Sequence, residues 1–110
     1  MSLNREKGKE AFENKNYKKA IDYFTLSLRD YPLKDLEILY SNRSASYLEM
    51  GEYESALKDA QSAIIHAPDW SKGYYRKAEA LMKLKRFKEA KAAYLESLRL
   101  VCFPFNLEYQ

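Results

Sequence analysis

One segment occurs three times in this chain. Tyr17-x-x-Ala20-x-x-x-Phe24, Tyr53-x-x-Ala56-x-x-x-Ala60 and Phe87-x-x-Ala90-x-x-x-Tyr94 place an aromatic, an alanine and a third small or aromatic residue at the same spacing. The second copy follows the first by 36 residues and the third follows the second by 34. The two extra residues fit a longer connection at Leu33-Lys34-Asp35-Leu36. Upstream, Gly8, Ser44 and Ala78 occupy one equivalent position, where a small side chain lets two helices approach closely. Pro32 and Pro68 close the first two copies at a shared place. A fixed period of this length means one supersecondary unit stacked on itself, each copy burying the apolar face of its neighbour.

Apolar and small positions recur at helical spacing within every copy: Ala20, Phe24, Ser27 and Leu28; Ala56, Ala60, Ala63 and Ile64; Ala90, Tyr94, Ser97 and Leu98. No stretch of clean alternation competes with this, so the chain reads as all-α. Breaks at Asn14-Lys15-Asn16, Tyr31-Pro32, Gly51-Glu52, Ala67-Pro68-Asp69 and Lys85-Arg86 divide it into six helices. Pro68 forbids continuation of the fourth, and Asp69 or Ser71 is expected to cap the fifth.

With 110 residues there is room for one domain, and 3 Gly and 3 Pro are too few turn-formers for a sandwich or barrel. Cys102 is the one cysteine and His66 the one histidine, so disulfide frameworks, multi-Cys metal sites and most triad chemistry are excluded. No metal, no cofactor and no catalysis are expected. The net charge of +3 comes from 19 basic and 16 acidic residues that interleave, which argues against a generic nucleic-acid binder. Neither a leader nor a membrane-length apolar run is present, so the chain reads as soluble and cytoplasmic.

These motifs resemble the tetratricopeptide repeat (TPR), a helix–turn–helix unit of 34 residues. The resemblance implies a single domain over 1–110 with units at about 1–34, 37–70 and 71–104, stacked as a right-handed α-solenoid. The first helix of each unit would line a concave groove, and the second would form the outer wall. Groove-facing positions are then Arg5, Lys9, Phe12 and Glu13; Ile38, Ser41, Asn42, Ala45 and Glu49; and Lys72, Tyr75, Arg76, Glu79, Met82 and Lys83. Arg5 and Lys9 are one turn apart, as are Lys72 and Arg76, and like charges at that spacing cost a helix a few tenths of a kcal/mol. An anion held between the pairs would explain them; so would chance, since Lys15 and Lys19 form another such pair.

Leu39-Tyr40-Ser41-Asn42-Arg43-Ser44 and the run Pro68 to Ala78 are similar to the clamp-bearing repeats of co-chaperones. Members of that group bind the acidic Glu-Glu-Val-Asp C-terminal tails of the seventy- and ninety-kilodalton heat-shock chaperones. The resemblance assigns the clamp to Asn42, Lys72 and Arg76, with Arg5 replacing a family Lys and Lys9 standing where the family has Asn. A tail ending in Asp presents two carboxylates close together. A Lys point charge, an Arg fork and an Asn amide from different helices can hold both. The rival reading is a scaffold that docks internal segments on apolar groove residues, with Phe12, Ile38, Ala45, Tyr75 and Met82 as contacts.

The C-terminal tail 101–110 carries Val101, Phe103, Phe105, Leu107 and Tyr109 around Pro104. Such a tail is expected to pack, either on the flank of the third unit or on a second copy in a homodimer.

Overall fold

The computed structural model describes residues 3–30 and 33–102. Its helices are α1 (Leu3–Glu13), α2 (Tyr17–Ser27), α3 (Leu36–Glu49), α4 (Tyr53–His66), α5 (Ser71–Lys83) and α6 (Phe87–Cys102), and no strand occurs among the described residues. Each helix packs on the next in sequence. In addition α1 touches α3 and α3 touches α5, whereas α2, α4 and α6 do not touch one another. The odd helices therefore form the tight inner row and the even helices the splayed outer row, which makes the stack an α-solenoid with a concave side. It measures 41 × 33 × 20 Å.

The repeat is visible down to the hydrogen bonds of its turns. At the end of α1, the Asn16 amide donates to the Ala11 carbonyl at 2.8 Å, and Lys15 donates to Phe12 at 2.9 Å. Glu52 and Gly51 make the same pair of bonds to Tyr47 and Leu48, and Arg86 and Lys85 make them to Leu81 and Met82. This is the Schellman closure, and it requires a left-handed residue just past the helix. Lys15, Gly51 and Lys85 fill that place with φ of 63°, 79° and 63°. Asn16 then caps α2 by accepting from the Lys19 amide.

The cap expected from Asp69 or Ser71 is not formed. Trp70 is the cap residue of α5, in extended conformation, without a side-chain bond to the helix. A turn closed by the Trp70 amide on the Ala67 carbonyl at 3.1 Å sets this register. It leaves Asp69 one residue too early and makes Ser71 the first helical residue, past the capping position.

Small residues set how closely each pair packs. A Cβ on Gly8 would lie 2.6 Å from Cε1 of Phe24, so the α1–α2 contact exists because residue 8 has no side chain. At the equivalent place Ser44 donates from Oγ to the Ala56 carbonyl at 2.8 Å, and Ala78 is fully buried. The core follows this pattern. One cluster gathers Ala11, Ala20, Phe24 and Leu39, and a second gathers Ala56, Leu57, Ala78, Ala80, Leu81, Ala90 and Ala93. Seven of these eleven buried side chains are alanines, so the helices are held by close backbone approach and dispersion across a thin interface.

One buried ion pair ties three helices together. Arg43 of α3 donates through Nε and Nη2 to the two carboxylate oxygens of Asp59 in α4, at 2.7 and 2.8 Å, and through Nη1 to Thr25 of α2 at 3.0 Å. The guanidinium also lies 5.8 Å from the ring centres of Tyr40 and Tyr47. The hydrogen bonds that Arg43 donates to Asp59 hold it above its ordinary pKa, against the opposing effect of burial.

Val101 and Cys102 lie in the last turn of α6 and are exposed. The packing expected of Phe103, Phe105 and the rest of the tail lies outside the described residues, as does Pro32. Among the described residues no helix is long and apolar enough to cross a membrane.

Candidate peptide-binding groove

Stacking brings the inner helices side by side, and their side chains line a half-open cavity of about 170 Å³. Lys9, Phe12 and Glu13 enter from α1, Asn42 and Ala45 from α3, and Arg76 from α5; Phe24 reaches in from α2. The α1 residues share a face because positions 9, 12 and 13 are spaced three and four apart, and Asn42 and Ala45 are three apart. The site thus has an apolar part, formed by Phe12, Phe24 and Ala45, edged by an ammonium, an amide and a guanidinium. Each of these three donors stands on a different helix.

Arg76 is the most constrained of these donors. Its Nη1 donates to Oε1 of Glu79 at 2.9 Å, one turn further along α5. Its Nε is buried without a hydrogen-bond partner. Glu79 therefore fixes the plane of the guanidinium from outside the cavity. Five N–H donors in a rigid fork suit a carboxylate better than a single point charge would. Lys9 and Glu13 both open on the cavity, one turn apart, and form no ion pair with each other among the described residues.

Of the residues expected in the site, the structure brings Lys9, Phe12, Asn42, Ala45 and Arg76 together around one cavity. Arg5 and Lys72 do not line it. Arg5 stands one turn before Lys9 and pairs with Asp35, in the connection before α3, at 3.3 Å. Lys72 is exposed, one turn before Arg76. Ile38 is half-buried outside the cavity, Tyr75 stands edge-on to Tyr94 with ring centres 5.9 Å apart, and Met82 is exposed. Sequence reasoning missed Phe24, which was assigned to the outer wall. It reaches the groove across Gly8, and an aromatic paired with a glycine one helix earlier was the available signal. Among the described residues no cluster of His, Cys, Asp or Glu is arranged to hold a metal ion.

A curved stack of helix pairs, with polar donors converging on its inner side, defines a helical-repeat domain. The family described as serine/threonine-protein kinase BSK1-like, TPR repeats, matches residues 1–78, and the tetratricopeptide repeat family matches residues 71–101. The chain belongs to the tetratricopeptide repeat family.

A STIP1 homolog of Dictyostelium discoideum is 44% identical over 96 residues, covering 87% of this chain and 17% of that protein. The chain thus spans about a sixth of the length of that protein. The Sgt2 TPR domain from Aspergillus fumigatus superposes with a TM-score of 0.83 at 32% identity, covering 91% of this chain and 65% of that one. The second TPR of Spaghetti (RPAP3), solved with the HSP90 peptide SRMEEVD, superposes with a TM-score of 0.81 at 28% identity and covers 88% of each chain.

Proposed function

We propose that this chain is a protein-interaction domain that binds the acidic C-terminal tails of heat-shock chaperones, of the Glu-Glu-Val-Asp type, without catalysis of its own. The observation that carries the reading is the convergence of Lys9, Asn42 and Arg76, from three helices, on one cavity with an apolar wall. A tail ending in Val-Asp has the matching chemistry: two carboxylates for the charged donors, and an aliphatic side chain for Phe12, Phe24 and Ala45. Lys72, exposed one turn before Arg76, extends the positive edge toward acidic residues further up the tail. The likeness to a TPR solved with SRMEEVD supports the same assignment. Glu79 pairs with Arg76, which favours a ligand fitted at specific points over a uniform polyanion such as nucleic acid.

Titration of a labelled SRMEEVD peptide tests this. Charge-assisted hydrogen bonds are worth about 1.5–3 kcal/mol each. Arg76→Ala is therefore expected to weaken binding by roughly 2 kcal/mol, near thirtyfold. A tenfold rise in salt is expected to weaken the wild type, because the contacts are ionic. Salt-independent binding that survives Arg76→Ala would instead mean an apolar dock for internal segments, and would remove the clamp reading.

A further inference from the structure

Asp35 uses its carboxylate in an unexpected way. It is the residue that opens α3, a place where an aspartate ordinarily accepts hydrogen bonds from the first amides of the helix. Here its side chain makes no such bond, and its backbone is left-handed at φ 54°. The carboxylate turns instead to Arg5 of α1, whose Nη1 donates to Oδ2 at 3.3 Å. This contact is not part of how the units stack. One unit on, Ser41 and Asp69 stand at the equivalent places, and no ion pair can form between them. The contact is also loose beside the other inter-helix pair. Arg43 reaches a buried Asp59 at 2.7 and 2.8 Å, whereas the Asp35 side chain is 37% exposed. A long, half-exposed pair of this kind is one that an incoming carboxylate can replace.

Resting on the clamp reading, we infer that Asp35 is an internal stand-in for an acid of the tail: it occupies Arg5 in the free chain, and the tail engages that cation only by displacing it. With Arg5 engaged, Lys9 is the cation that α1 presents to the cavity. Arg5 stands one turn before it, about 6 Å along the helix, within reach of a neighbouring carboxylate of the same ligand. SRMEEVD carries four carboxylates, its terminus included. Lys9, Arg76 and Lys72 answer three of them, and Arg5 answers the fourth once Asp35 lets go. Because one carboxylate replaces another, the exchange adds little affinity, and Arg5 contributes less than its charge alone would give. Asp35 thus holds the groove below the affinity that its cations would otherwise confer.

The experiment titrates labelled SRMEEVD with the full chain and with Asp35→Asn, Arg5→Gln and the double variant. Asparagine tolerates the left-handed backbone, and a partly exposed pair contributes little to stability, so Asp35→Asn is expected to melt close to the wild type. It is expected to bind the peptide about two- to fivefold tighter, the range of a partly exposed charge pair. In the Arg5→Gln background the same substitution is expected to give no gain. Asp35→Gly, which suits a positive φ and has no side chain, repeats the measurement and is expected to show the same tightening. Unchanged or weaker binding in both Asp35 variants overturns the inference. So does a gain that persists in Arg5→Gln, which would report a general loss of negative charge. Either result leaves the clamp intact. Failure of Arg76→Ala to weaken binding overturns the clamp itself, so the two failures are told apart.

Discussion

Gly8 and Phe24 touch so closely that a methyl group on residue 8 would sit 2.6 Å from Cε1 and 2.7 Å from Cδ1 of the ring. The contact does two jobs, because Phe24 is both a fully buried core residue and part of the groove lining. In Gly8→Ala the ring must move or the helices must separate. Overpacking of this kind costs about 1–3 kcal/mol, partly offset by the better helix propensity of alanine. The expected outcome is a net loss of about 1–2 kcal/mol in urea denaturation, with weaker SRMEEVD binding at temperatures where the variant is still folded. Unchanged binding in a destabilised variant would mean that the ring does not shape the groove.

Asp59 leaves a second mark on stability. It is 4% exposed and receives two hydrogen bonds from Arg43, so removing the carboxylate strands a guanidinium between α2, α3 and α4. Breaking one side of a buried pair typically costs 3–5 kcal/mol, whereas replacing both partners with apolar residues of similar volume is often close to neutral. Asp59→Ala is expected to lose about 3 kcal/mol, and the double variant Arg43→Met/Asp59→Leu to recover most of that loss. Chemical denaturation of both variants measures the difference. Equal losses in the two would show that packing around the pair, rather than the stranded charge, sets the penalty.

The turns that close α1, α3 and α5 share one geometry, but only Gly51 is suited to it. Positive φ is costly for a residue with a side chain, and Lys15 and Lys85 bear that cost at φ 63°. Lys15→Gly and Lys85→Gly are each expected to raise stability by about 0.5–1 kcal/mol. Gly51→Ala is expected to lower it by about 1 kcal/mol, although a Cβ there would meet nothing within 4 Å. Thermal melts of the three single variants give the signs. A stabilising Gly51→Ala would mean that chain entropy outweighs backbone strain at this turn.

The helices and their number were legible in the sequence because alanine and aromatic spacing is set by contacts inside each unit, which recur every 34 or 36 residues. The turn breaks were legible too, but not their conformation, since a lysine carries no signal of a left-handed backbone. The Arg43–Asp59 pair was invisible for a different reason. Its partners are 16 residues apart in a chain with 19 basic and 16 acidic side chains, so nothing local distinguishes them. In the groove, residues on the inner helices were found by their register. Arg5 and Lys72 have the right type and face, but they sit one turn away from the cavity that Lys9 and Arg76 enter. Register alone does not report how far along the groove a cavity extends.

Leu28, Ile64 and Leu98 occupy one position of the repeat and meet three environments. Leu28 packs against the first core cluster. Ile64 packs on α5, where its Cγ1 would lie 3.1 Å from a Cβ on Gly73. Leu98 is 57% exposed on α6, beside Leu95 and Val101 at 55% and 62%. The free energy of a truncation follows the area that the side chain hides, with an added term for the cavity left behind. Ile64→Ala is therefore expected to cost about 2–4 kcal/mol, and Leu98→Ala less than about 0.5 kcal/mol with the chain at low concentration. Urea titrations of the two variants side by side provide the comparison. A large loss in Leu98→Ala would mean that this face of α6 is covered in solution, and repeating the titration across protein concentrations would show whether a second copy covers it.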